Sequence, residues 1–199
     1  MSNGKPVTLR TLAGAAAWQT PARGKAAVVI VDAQEAYRSG ALPLSGLDTA
    51  LAQIQQLRER AAEMDWPVIH VAHQGGEGSP FDPATGGAFM EQVQPAEGEV
   101  VITKPRPNAF SGTDLAAHLK DIDGPILVAG FMTHMCVSST VRAGYDLGFS
   151  MAVVAGACAT RDLPAADGNG VMAAADLHAA ALAALSDVFA PILPSVADI

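Results

Sequence analysis

The chain has 199 residues, half of them hydrophobic but only 5% aromatic, with 20 acidic against 12 basic side chains and a net charge of −8. That size suits one domain spanning residues 1–199, with a core of aliphatic side chains and alanine. The acidic balance argues against a nucleic-acid partner, and no apolar run approaches the roughly 20 residues of a membrane span, so a small-molecule substrate is expected.

The opening stretch, MSNGKPVTLR, carries no apolar signal segment, and the first 24 residues show no clear pattern. Residues 26–31 (AAVVIV) are apolar throughout, as in a strand buried on both faces. Residues 47–64 place Leu47, Leu51, Ile54, Leu57, Ala61 and Met64 at helical spacing, with Ser45 as the expected N-cap and Asp48 in the first turn. Residues 67–73 (PVIHVAH) predict a second strand and residues 99–103 (EVVIT) a third, with a short helix at 113–120. A fourth strand at 125–130 (PILVAG) leads into a helix stopping near Gly148, and a fifth follows at 150–155 (SMAVVA). A long alanine-rich helix is expected over 170–190 and a short last strand at 191–194. This alternation predicts a mostly parallel sheet with helices on both faces. Residues 75–87 (GGEGSPFDPATGG) form the one long irregular stretch between strands and read as a functional loop.

Three reactive side chains share one place in this topology. Asp32 follows VVIV, Lys104 follows VVIT, and Cys136 lies just beyond ILVAG. Ligands on open α/β sheets bind outside the carboxyl ends of the strands, so three strand ends aim an acid, a base and a thiol at one crevice. Singly each has an ordinary explanation: a turn-capping Asp, a solvated Lys, a small buried Cys. The stretch GFMTHMCVSST joins a strand to a helix, placing Cys136 near a helix N-terminus that favours thiolate and offers backbone N–H donors to an oxyanion. That is the equipment of acyl transfer.

The blocks VVIVDAQEAY, ITKPRPNAF and VAGFMTHMCVSSTVRAGYDLGF resemble, in order, the signature blocks of the isochorismatase-like hydrolases, which include nicotinamidases and N-carbamoylsarcosine amidohydrolase. The resemblance runs from about Ala26 to the final helix. It implies an α/β fold, a three-layer α/β/α sandwich with a six-stranded parallel sheet of order 3-2-1-4-5-6. It also implies a catalytic trio at Asp32, Lys104 and Cys136, a cis peptide at Phe131–Met132, and an oxyanion hole from the N–H groups of Met132 and Cys136. In that order strand three lies roughly 10 Å from strand one, a gap for lysine's long stem to span.

The metal-binding relatives carry an Asp-x-His pair soon after the first block, and this chain has no histidine before His70. His70 and His73, read as facing one side of their strand, lack an obvious third ligand, so no metal and no cofactor is expected. The presence of Cys136 points away from vinyl-ether hydrolysis of the isochorismatase type. Gln34, Tyr37, Phe110 and Thr133 are the candidate substrate-binding residues. His134 reads as a helix cap, Cys158 as a small buried residue and His178 as a satisfied core or interface histidine.

The expected activity is therefore cysteine-dependent hydrolysis of an amide or ureido C–N bond through a thioester. A thiol-redox protein is disfavoured because no CxxC pair is present, and a nucleotide-binding protein because no glycine-rich phosphate motif follows a strand. A catalytically silent small-molecule-binding module is the non-enzymatic alternative. Two distant cysteines and no export signal lead us to expect a reducing, cytoplasmic setting. The family resemblance and the small-residue final helix lead us to expect a homo-oligomer, a dimer or tetramer, with residues 75–87 near a subunit boundary.

Overall fold

A computed structural model describes residues 6–199; the first five residues of the stretch read for an export signal lie outside the described residues. A one-turn helix, α1 (Leu9–Leu12), precedes the sheet. Strand β1 (Ala27–Val31) is followed by helix α2 (Leu47–Glu63) and strand β2 (Val68–His73). Strand β3 (Val100–Lys104), helix α3 (Leu115–Leu119) and strand β4 (Ile126–Phe131) come next. A π-helical turn (Thr133–Val137) runs into helix α4 (Ser138–Asp146), then strand β5 (Met151–Ala159). The two-residue strands β6 (Leu163–Pro164) and β7 (Val171–Met172), helix α5 (Ala174–Val188) and strand β8 (Ile192–Leu193) complete the chain.

Six strands form one parallel sheet in the order β3-β2-β1-β4-β5-β8. This is the expected order, its sixth strand numbered eight because β6 and β7 pair with each other in a small antiparallel ribbon. Every side chain of β1 is fully buried because alternate residues feed two cores. Val28 and Ile30 pack with Leu51, Ile54 and Leu57 of α2. Ala27, Val29 and Val31 face Leu115 and Leu119 of α3, Val141 of α4 and Leu185 of α5. Side chains of a strand alternate between faces, so one apolar run serves both layers.

Several boundaries differ from expectation for local reasons. The N-cap of α2 is Gly46, in the left-handed region at φ 74°, and not Ser45, whose backbone bridges to Thr160. Helix α5 starts at Ala174 and not near 170, because Val171 and Met172 are drawn into the ribbon; Asp162 Oδ1 accepts the Ala174 N–H at 2.8 Å and serves as a remote cap. Strand β5 runs on to Ala159, with a register shift against β4 between Val128 and Gly130. Gly148, at φ 87°, lies just past α4 as expected. Among the described residues no helix is long and apolar enough to cross a membrane.

Candidate active site

The sheet winds outward in opposite senses from β1 and β4, so the crevice between their carboxyl ends is the topological switch point at which α/β sheets bind ligands. Asp32 leaves β1 in the left-handed region at φ 50°, a conformation that Asp tolerates better than most residues but that still carries strain. Its N–H is fixed to the Val71 carbonyl at 2.7 Å, and its own carbonyl accepts the Gln34 N–H at 2.8 Å. On the other side of the crevice, Gly130 has φ 110°, and a Cβ there would collide with the Val31 carbonyl of β1. Only glycine lets β4 approach this closely before the chain enters the elbow. The Phe131–Met132 peptide is cis, as the resemblance implied.

Lys104 ends β3, and its Nζ lies 2.8 Å from Asp32 Oδ2 and 3.4 Å from Cys136 Sγ. Asp32 and Lys104 are fully buried and Cys136 is 5% exposed. The Asp32 oxygens are close to their neighbours without a donor aligned on either, so the contact is an ion pair more than a directed hydrogen bond. Burial raises the Asp32 carboxyl above its ordinary value, against the opposing pull of the Lys104 ammonium. Burial and the Asp32 charge together push the Cys136 thiol up to about 12, with Lys104 acting in the opposite direction. The helix end is outweighed by desolvation and by a neighbouring carboxylate, so the sulfur is a thiol until its proton is taken.

The remaining sequence candidates fall around this trio. Tyr37 is buried edge-on to Phe81 and Phe131, with ring centroids 5.3 and 5.9 Å away, and burial followed by the charges of Asp32 and Cys136 raises its phenol. Gln34 spends its amide on backbone: Nε2 donates to the carbonyls of His73 and Gly87, and Oε1 accepts the His73 N–H. It thus braces the end of β2 against residues 75–87, with no donor left over for a ligand. The Thr133 hydroxyl donates to the Ala159 carbonyl at 3.0 Å, so its 2.9 Å contact with His178 must be donated by the histidine Nδ1–H. His178 is satisfied, as expected, but its anchoring of the elbow was not foreseen. Phe110 stacks on Phe149, with centroids 5.6 Å apart and 15° between planes, beside the core that holds Cys136. Met132 N–H makes no hydrogen bond among the described residues and remains available next to Cys136.

Three further expectations are settled by contacts. His134 does not cap a helix; its Nδ1 meets Thr160 Oγ1 at 2.6 Å. Cys158 is buried, in register with Gly130 across β4 and β5. His70 and His73 do not share a face, since residues three apart in a strand point to opposite sides. His70 Nε2 is taken by Glu99 Oε2 at 2.8 Å, in a network completed by Arg58, while His73 stands in register with Lys104 and packs on Phe81. A hollow of about 590 Å³ lies behind the elbow, bordered by Cys158, Thr160 and His178 and not by the trio.

Residues 26–195 match the isochorismatase domain. The chain belongs to the isochorismatase family. A crystal structure of an isochorismatase from Pseudomonas putida KT2440 superposes on it with a TM-score of 0.90 and 40% identity, covering 98% of this chain and 100% of that one. The secreted isochorismatase effector Isc1 of Verticillium dahliae is 36% identical over 171 residues, 84% of this chain and 87% of the relative. The ureidoacrylate amidohydrolase RutB of Stutzerimonas stutzeri is 30% identical over 169 residues, 66% of this chain and 68% of its own length. The chain is accordingly a hydrolase of this family, and amidohydrolases stand among its relatives.

Proposed function

We propose that the chain hydrolyses an amide or ureido C–N bond of a small molecule through a thioester on Cys136. The observation that carries this reading is the buried contact of Lys104 with both Asp32 and Cys136 at the switch point. A carboxylate with a raised pKa is a better base toward a thiol than an ordinary one, and here it lies beside that thiol. Kinship with an amidohydrolase supports a C–N bond as the target.

In this mechanism Asp32 accepts the Sγ proton as sulfur bonds to the substrate carbonyl carbon. The N–H groups of Met132 and Cys136 hold the resulting oxyanion. The C–N bond breaks as Asp32 passes the proton to the departing nitrogen, leaving an acyl–sulfur bond. Water then adds to the thioester while Asp32 takes its proton. The C–S bond breaks, the acid leaves, and Asp32 returns the proton to sulfur. Lys104 keeps Asp32 ionised at the start and balances the thiolate when it forms. Tyr37 and Phe110 wall the pocket, while Gln34 and Thr133 hold its shape. No metal or cofactor is called on in any step. We further propose that the chain works as one catalytic domain within a homo-oligomer, on a small molecule and without nucleic-acid or membrane partners, in the cytoplasm.

The test is ammonia release from a panel of primary amides and ureido compounds, with acyl–enzyme mass spectrometry on the same panel. The chain should turn over at least one compound and carry its acyl group on Cys136. The Cys136→Ala protein should keep its melting curve and lose turnover. Retained turnover in that variant would refute the assignment, and ligand binding without any turnover would favour the silent module.

A further inference from the structure

Met132 N–H, one of the two donors assigned to the oxyanion, makes no hydrogen bond of its own among the described residues. Its aim is therefore set by the residues on either side of it. On one side Phe131 ends β4, in register with Ala159 of β5. On the other, the Thr133 hydroxyl donates to the carbonyl of that same Ala159 at 3.0 Å. The chain from Phe131 to Thr133 is thus tied at both ends to one residue of β5, with Met132 between the ties. The Met132 carbonyl is held as well, accepting the N–H groups of Met135 and Val137 at 3.0 and 3.2 Å.

The restraint on Thr133 itself comes from outside the sheet. Its hydroxyl hydrogen is committed to Ala159, so the 2.9 Å contact with His178 of α5 requires a hydrogen on His178 Nδ1. That fixes the neutral ring in one tautomer, with its lone pair on Nε2. Nε2 makes no hydrogen bond among the described residues, and His178 borders the hollow behind the elbow. Ala159, Ala174 and Ala175 line the same hollow and have no side-chain donor to offer in its place. Thr133 is fully buried, so loss of the imidazole leaves its hydroxyl oxygen short of a donor and frees the side chain to turn from Ala159.

We propose that His178 is a positioning residue for the reaction: its Nδ1–H, acting through Thr133, aims the Met132 N–H at the oxyanion. The oxyanion rests on the thioester reading above; the chain of bonds from His178 through Thr133 to Ala159 does not. In this role His178 gives and takes no proton. It acts on those steps in which a carbonyl carbon becomes tetrahedral, and on no others.

The test compares two reactions of Cys136, one that needs an oxyanion hole and one that does not. In the first, para-nitrophenyl acetate acylates the thiol. The Sγ–C bond forms, the C–O bond to the nitrophenyl group breaks, the thiol proton passes to Asp32, and nitrophenolate leaves as the coloured product. In the second, iodoacetamide alkylates the sulfur at a saturated carbon and iodide leaves, with no oxyanion formed. Cys136→Ala supplies the background for both. A lost oxyanion donor costs roughly a hundred- to a thousandfold and a misaimed one less, so His178→Ala should slow acylation by about ten- to a hundredfold. Alkylation should be unchanged. His178→Asn, whose amide places an N–H where Nδ1 stands, should restore most of the acylation rate, whereas His178→Gln, which reaches the position of Nε2, should not. In a Thr133→Val background, which keeps the shape and removes the hydroxyl, His178→Ala should add nothing.

Acylation unchanged by His178→Ala, equal slowing of the two reactions, or rescue by Gln as good as by Asn would each overturn the proposal and leave the hydrolase reading in place. Cys136-dependent acylation that follows His178, with no amide or ureido compound turned over, would count against that reading and leave the positioning role standing. No Cys136-dependent acylation at all would overturn both.

Discussion

Lys104 Nζ, carried on the edge strand β3, reaches across β2 to within 2.8 Å of Asp32 Oδ2 at the end of β1. Two strand spacings separate the backbones, roughly 10 Å, and the lysine stem supplies much of that span. Burial by itself would favour the protonated form of Asp32, and the Lys104 ammonium opposes that. The pair is therefore a matter of both protonation and shape.

Replacing Lys104 with Met keeps the stem and removes the charge. Burial then acts on Asp32 unopposed and holds it protonated, unable to accept the thiol proton. We expect turnover to fall by about a hundredfold or more, with no rescue by Lys104→Arg, whose fork cannot occupy the space of an ammonium. An acid whose folded pKa is raised contributes stability below its unfolded value and loses it as pH rises through the folded value. Denaturant melts of Lys104→Met should therefore show a penalty that is smallest in acid and grows toward neutrality. A flat penalty across pH would contradict this.

Asp32→Asn should separate two properties that usually move together. Turnover is lost with the base, yet the charge that raises the Cys136 thiol is lost too, while Lys104 still favours the thiolate. Alkylation of Cys136 by iodoacetamide at pH 8, followed by peptide mapping, should be faster in the variant than in the unaltered chain. In the unaltered chain the rate should climb about tenfold per pH unit up to the region of pH 12. A thiol raised this way stabilises the fold below its ordinary value of 9.0 and loses that contribution as pH rises toward about 12. Slower alkylation in Asp32→Asn would show that the carboxylate does not govern the sulfur.

Gly130→Ala places a methyl group against the Val31 carbonyl at φ 110°. The strands β1 and β4 must part, and Asp32 and the elbow move with them. We expect a loss of about 2–4 kcal/mol in denaturant melts, since strain and a backbone collision add. A melt within 0.5 kcal/mol of the parent, a threshold set by the usual scatter of about that size for harmless changes, would show that the crevice yields easily.

Static light scattering should give a mass two or four times 20.3 kDa at micromolar concentration, with residues 75–87 protected from proteolysis relative to a monomeric form. A mass near 20.3 kDa, with activity unaffected by dilution, would remove the oligomer proposal.

The sheet was legible because β-branched runs such as AVVIV and ILVAGF have few other fates, and three of them end beside reactive side chains. The ribbon of β6 and β7 was not, since two-residue strands leave no periodicity to detect. His70 and His73 stand three residues apart in β2, an odd number of strand steps, and so face opposite sides of the sheet. The helix end beside Cys136 is visible in sequence, whereas the burial of Cys136 and the neighbouring Asp32 charge are not. Contacts made across the fold, such as Thr133 with His178 and Arg58 with Glu99, leave no local trace at all.

Residues 75–87 are held at one end by the Gln34 amide on Gly87 and in the middle by Phe81, wedged between Tyr37 and His73. The tip at Gly76 and Gly78 has open space around it. Anchors and tip are therefore under different physical constraints. Doubling a flexible segment costs only about 0.6 kcal/mol in closure entropy, so the tip can lengthen or change its chemistry while the bolts beneath it keep the crevice in place. Substitutions at this tip are therefore expected to leave Asp32, Lys104 and Cys136 undisturbed.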